Sequence, residues 1–267
     1  MKPDRIFSRY SLRLFMQGLL SFLLPLAFGI VFIYLWQHQV FHRLLNVKVL
    51  QLPLPSRILS VLLENTDKLF ADSLTTAQTA VTGLIIGSSA GFLVAILATL
   101  SPKWGNGALT VLAACNAIPV VALSPIMNVW FSNPMVAKAA VVSILSMVAM
   151  SVNAYQGLTN LKPFSLNLMH SYAASNRVIF FKLRLPNCIP YVFVGLRINV
   201  ASAMIGAIVS EYFSSASNGL GYGIRNKLST GQFPLGWAYI IAASLIGIIL
   251  YTIVIVFENC ALKHRSH

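Results

Sequence analysis

Between Trp237 and Phe257 the chain runs for 21 residues, WAYIIAASLIGIILYTIVIVF, without a charged side chain. A helix rises 1.5 Å per residue, so such a run covers about the 30 Å hydrocarbon core of a bilayer. No water reaches that core, so a backbone crossing it must satisfy its own hydrogen bonds, as a helix or a closed barrel does. Comparable runs recur at about 18–36, 73–100, 107–131, 135–155 and 191–209. Charged residues are only 9% of the chain, against roughly 25% in soluble domains. The pattern predicts an all-α polytopic membrane protein of about six transmembrane helices, one membrane domain over residues 1–267.

The formal net charge of +13 does not point to nucleic acid, because no soluble basic domain carries it. Lysines and arginines flank the spans, where they set topology and meet anionic lipid. Cys115, Cys188 and Cys260 are far apart and share no metal-ligand spacing, so neither a disulfide framework nor a metal site is expected. The five histidines lie outside the apolar runs, away from where a proton relay would need them. Lys2, Arg5, Arg9 and Arg13 precede a first run that ends in Tyr34, Leu35, Trp36 with no small-residue cleavage site. It reads as a retained first span rather than a cleaved signal.

The second span carries small residues four apart: Thr79, Gly83, Gly87, Gly91 and Ala95. In lipid, close backbone contact through such residues supplies much of the helix–helix attraction, so Gly83, Gly87 and Gly91 are assigned to helix packing. The third span holds Asn116, Pro119, Pro125 and Asn128. Prolines remove backbone hydrogen bonds and bend a helix, so this span is either a packed kink or a broken helix beside a pathway. Asn116, Pro119, Asn128, Asn153 and Glu211 are candidate pathway-lining residues. Helix packing for the amides, and an interfacial carboxylate in water for Glu211, are the plainer alternatives.

With the N-terminus inside, the cytoplasmic segments hold eleven lysines and arginines and the opposite segments seven. The positive-inside rule then places both termini and the loop 156–190 in the cytoplasm. In that loop, Pro163 opens a segment, FSLNLMHSYAASNRVIFFKL, that is helix-compatible throughout until Pro186. Pro186 and Pro190 are expected to separate it from the fifth span. Its apolar residues suit either an interfacial helix on the inner leaflet or a helix that docks into a groove of a soluble partner.

The loop resembles the conserved cytoplasmic loop of binding-protein-dependent ABC importer permeases. That pattern is Glu-Ala-Ala, three residues, Gly, nine residues, an aliphatic residue, one residue, then Leu-Pro. Counting back from Leu185 and Pro186, Leu183 takes the aliphatic position, Ala173 the glycine, and Asn167, Leu168 and Met169 the triplet. The spacing and the Leu-Pro end match, while the acidic residue and the glycine do not. "LRLPNCIPYVFVGLRI", "IGAIVSEYF", "GLGYGI" and "AIPVVALSPIMNVWF" are similar to the nitrate, taurine and sulfonate branch of these permeases, leaning toward carriers of thiamine-pyrimidine and riboflavin precursors.

The resemblance implies a type I ABC importer permease fold in a bacterial or archaeal plasma membrane. It implies two permease copies, with homodimer the default, ATPase subunits seated on the coupling loop, and an extracytoplasmic binding protein docking near 37–72 and 214–232. Asn167, Leu168, Met169, Ala173, Ala174, Ser175, Leu183, Leu185 and Pro186 then form the ATPase-coupling loop. The chain has no Gly-x-x-x-x-Gly-Lys-Ser/Thr loop, so ATP is expected on the partner and no cofactor on this chain. The competing classes are a secondary transporter or channel working without ATP, and a membrane-embedded enzyme, for which no catalytic residue set is found.

Overall fold

The computed structural model describes residues 23–115, 117–214 and 217–263. Among these residues the secondary structure is helical throughout, without strands. In chain order the helices are α1 (Leu23–Gln37), α2 (Val40–Leu45), α3 (Pro55–Glu64), α4 (Thr66–Leu100), α5 (Pro102–Cys115), α6 (Val120–Trp130) and α7 (Pro134–Thr159). They continue with α8 (Ser165–Ser171), α9 (Asn176–Ile179), a π-helical turn (Phe180–Arg184), α10 (Leu185–Phe213), α11 (Leu220–Ser229) and α12 (Phe233–Leu262).

Four helices are long and apolar enough to cross a membrane: α4, α7, the unbroken run Asn176–Phe213, and α12. A bent pair within α5 and α6 makes a fifth if it counts as one span, and α1 is a shorter apolar helix. Together these account for the six expected apolar segments. The third is not one continuous helix over 107–131. It breaks before Val120, and the two pieces are bent by 98°. Pro119 is the reason: it sits in extended geometry (φ −60°, ψ 125°) as the residue before α6 and offers no N–H to continue α5. Asn116 lies outside the described residues.

The core is a three-helix sandwich of α4, α7 and α10. Gly83, Gly87 and Gly91 all face α7. A Cβ on Gly83 would come 2.9 Å from the Ala139 carbonyl oxygen, and one on Gly87 would overlap the Ser143 carbonyl. These pairings advance together along both chains, so α4 and α7 run parallel. Pairings of Gly157 with Cys188, Gly195 with Met150 and Gly206 with Leu145 run in opposite order, so α10 is antiparallel to them. At the middle of the sandwich the buried Asn199 amide donates to Ser88 Oγ (3.0 Å) and to the Ser146 carbonyl (2.9 Å), tying α10 to both partners. α12 packs on the outside of α10, where Arg197 pairs with Glu258 at 3.3 Å.

Two segments read as loops contain helices. The polar stretch 37–72 holds α2, α3 and the start of α4. The Ser- and Gly-rich stretch after Ser214 holds α11, whose first turn is capped from outside the segment, as described next.

Candidate functional site

The two ends of the helical sandwich are built differently. At one end α7 finishes and the expected coupling segment follows. α8 is closed by a Schellman turn: Ala173 N–H donates to the His170 carbonyl (2.9 Å) and Ala174 N–H to that of Met169 (3.0 Å). The turn puts Ala173 at φ +51°, the left-handed region that a side chain disfavours by about 1 kcal/mol. The segment is therefore not one helix up to Pro186. It breaks at residues 172–175, then restarts at α9 with Ser175 as its N-cap. Asn167, Leu168 and Met169 lie within α8, and Ala173, Ala174 and Ser175 form the break.

Nor do Pro186 and Pro190 separate this segment from the membrane helix. Pro186 stands in the first turn of α10 and Pro190 inside it, and the helix is unbroken from Asn176 to Phe213. A proline ring crowds the carbonyl four residues earlier, here that of Lys182. The widened turn before Pro186 accommodates the ring, with Leu185 N–H reaching the Phe180 carbonyl five residues back. Leu183 and Leu185 are half-buried at this turn.

The turn is bolted to α7. Arg184 Nη1 donates to the Leu158 carbonyl (2.9 Å), and Asn187 Nδ2 to the carbonyls of Gly157 (2.8 Å) and Asn160 (3.1 Å). These are among the last carbonyls of α7, which have no partner within that helix. Outward, Phe164, Leu168, Tyr172 and Phe181 are 80%, 58%, 78% and 64% exposed, so a ridge of large apolar side chains has no cover among the described residues. Replacing Ala173 with glycine should relieve the left-handed strain. Amide exchange over residues 168–174 is expected to slow about fivefold, a ~1 kcal/mol effect.

The opposite end is a buried polar knot. Glu211, fully buried at the end of α10, accepts through Oε2 from Thr76 Oγ1 (2.8 Å) and Gly221 N–H (2.9 Å). Thr76 Oγ1 accepts from Leu220 N–H (2.8 Å). Asp72 accepts from Gly219 N–H (3.0 Å) and from the Tyr239 hydroxyl (2.8 Å). The first amides of α11 are thus capped by groups from α4 and α10, and the two carboxylates oppose the positive end of its dipole. Gly219, at φ +98°, makes the turn that aims those amides. Arg225 closes the α10 end by donating to the Tyr212 carbonyl (2.6 Å).

Glu211 is therefore held by packing, with no water-facing carboxylate. Asn153 donates to the Ala149 carbonyl of its own helix (2.8 Å) and packs near Gly195. Asn128 is half-buried on α6, and Pro119 is exposed at the break before it. Among the buried polar residues that sequence reasoning missed at this end and at mid-helix are Lys138, Thr76 and Asn199. Their partners lie far off in sequence, so no local pattern marks them.

The sequence pattern of one family, described as "binding-protein-dependent transport system inner membrane component", matches residues 83–260. The formylaminopyrimidine transport permease protein ThiX of Halalkalibacterium halodurans is 30% identical over 243 residues, covering 91% of this chain and 96% of that protein. The riboflavin transport system permease protein RibX of Chloroflexus aurantiacus is 25% identical over 61% of each chain. The nitrate import permease protein NrtB of Synechococcus elongatus is 25% identical over 62% of this chain and 60% of its own. Among solved structures, the crystal structure of an amino acid ABC transporter with histidines superposes with a TM-score of 0.60 at 15% identity. It covers 74% of this chain and 95% of that one, a likeness of fold.

Proposed function

The chain belongs to the binding-protein-dependent transport system inner membrane components, and from that premise we propose how its two ends divide the work of import. It is a multi-pass transmembrane permease subunit of an ABC importer. It is not itself catalytic: ATP is hydrolysed by a partner ATPase, and solute arrives on a substrate-binding protein.

In our reading the break between α8 and α9 and the π turn form the coupling element, with Asn167 to Met169, Ala173 to Ser175, Leu183, Leu185 and Pro186 at the ATPase. The observation that carries it is the uncovered ridge of Leu168, Tyr172 and Phe181 on a segment bolted to α7 and continuous with α10. An apolar ridge in front of a rigid element suits helix-in-groove docking. ATP-driven closure of the ATPases then biases a two-state equilibrium between inward- and outward-open forms.

Two copies around a two-fold axis form the pathway, since closed two-fold symmetry is the commonest assembly. The coupling end and both termini face the cytoplasm of a bacterial or archaeal cell, across its plasma membrane. The binding protein docks at the end that holds α2, α3 and α11. The broken α5–α6 pair, with Pro119 and Asn128, borders the pathway. The solute is a small organic or anionic compound of the kind named for the relatives, a formylaminopyrimidine, riboflavin or nitrate, or a sulfonate.

Reconstitution in liposomes tests this directly. Uptake is expected only with the ATPase, the binding protein and ATP together. Equal uptake without the ATPase would favour a secondary transporter and overturn the reading.

A further inference from the structure

Lys138 is 3% exposed, in the second turn of α7, and among the described residues it has no hydrogen-bond or ion-pair partner. Its electrostatic partner is Glu211, which lies beyond ion-pair reach and is already bonded to Thr76 and Gly221. Lysine is almost never fully buried unless it is paired, and an uncompensated buried charge is strongly destabilising. Lys138 lines a cavity of about 320 Å³, shared with Thr75, Gln78, Thr79, Asn133 and Asn218, at the end opposite the coupling element.

The hydrogen-bonding capacity of this wall is lopsided. Thr75 and Thr79 spend their hydroxyl protons on the carbonyls of Ala71 and Thr75. Asn133 uses its side-chain oxygen to cap α7, accepting from Met135 N–H at 2.9 Å, which leaves its NH₂ free to donate. Gln78 and Asn218 add two more amides. Lys138 can only donate, and the positive end of the α7 dipole lies beside it. No carboxylate is among the described residues of the wall. The volume is within the range of small-molecule sites.

We propose that this cavity is a solute-binding subsite of the permease itself, in which Lys138 and the Asn133 amide hold the oxyanion head of a small anionic solute. The inference rests on the importer reading, since it is the solute released at this end that would enter the cavity. It differs from the binding protein's own site, because the charge that recognises the anion belongs to α7.

The test uses the full permease–ATPase complex in lipid nanodiscs, without binding protein, and radiolabelled ethanesulfonate as probe. Saturable binding is expected, displaced by nitrate and not by a neutral aminopyrimidine. Lys138→Gln should weaken it about tenfold or more, the scale of a lost charged hydrogen bond, and Lys138→Arg should hold it within about threefold. Gln78→Glu, an exposed position where a charge does not disturb packing, should also weaken it about tenfold. It serves where Lys138→Gln lowers the amount of folded complex. No saturable anion binding, equal displacement by the neutral pyrimidine, or binding indifferent to both substitutions would overturn the proposal. ATP-driven uptake by the same complexes, moved into liposomes and supplied with the binding protein, separates the two claims. Binding that depends on Lys138 without ATP-driven uptake would sink the importer reading alone. Uptake without Lys138-dependent binding would sink the subsite alone.

Discussion

Proteoliposomes carrying the Leu168→Asp, Tyr172→Asp permease should hold normal amounts of inserted protein and take up no solute when ATP is added. Both side chains are more than half exposed and touch none of the four buried cores, so the folded permease loses nothing by the change. In the assembled importer they would be the anchors of the ATPase contact. Truncating one such anchor commonly costs about 2 kcal/mol or more, and forcing a carboxylate into an apolar groove adds desolvation. Two at once should weaken ATPase association by about a thousandfold. Co-purification of tagged ATPase with the permease measures this. Association and uptake at wild-type levels would mean that the ridge meets lipid instead, the interfacial alternative for the same residues. Leu183→Asp should act similarly with some loss of fold stability, because Leu183 is half-buried at the π turn.

Gly87→Val should abolish the folded permease altogether. The missing Cβ is where the Ser143 backbone carbonyl and the Ser146 side chain sit, and neither can rotate away while α7 stays in register. Relief requires α4 and α7 to separate along the most extensive contact in the molecule. Separation also breaks the Asn199 bonds to Ser88 and Ser146. Overpacking in well-packed cores costs about 1–3 kcal/mol, and this site adds lost interhelical hydrogen bonds of about 0.6 kcal/mol each. The expected result is loss of the monodisperse species on size-exclusion chromatography in mild detergent. Gly29→Val on α1, where a Cβ meets nothing within 4 Å, is the control and should elute unchanged. A monodisperse Gly87→Val protein would show that the two helices are less tightly joined than their contacts imply.

What the sequence made legible follows from what is local. The stripe from Thr79 to Ala95 repeats every fourth residue, so its shared face can be read without knowing the partner helix. Apolar runs likewise report spans, because hydrocarbon imposes length on each one separately. Ala173 was not legible as a break, since alanine is the best helix former and only the Schellman closure with Met169 and His170 turns it left-handed. The same position carries the glycine of the importer pattern, and its left-handed backbone explains why a glycine suits it. Pro186 misled in the other direction. It signals a stop, yet a widened turn lets the helix pass through it. Glu211 and α11 needed tertiary knowledge: the cap of α11 comes from Thr76 and Asp72, more than 140 residues upstream. Lys138 looked like one more flanking cation because the α4 residues that share its cavity, Thr75, Gln78 and Thr79, lie about 60 residues away in sequence.

The run Asn176–Phe213 is 38 residues long, and a rod of that length measures about 57 Å. It begins in the element proposed to meet the ATPase and ends in the Glu211 knot. A tilt of about 10° about its midpoint moves each tip by about 5 Å, in opposite directions. With Arg184 and Asn187 fixing one arm to α7 and Glu211 fixing the other to α4 and α11, the membrane helix would serve as a lever in the proposed cycle. Its stiffness, not any flexible linker, would then set how far a stroke at one face of the membrane travels to the other.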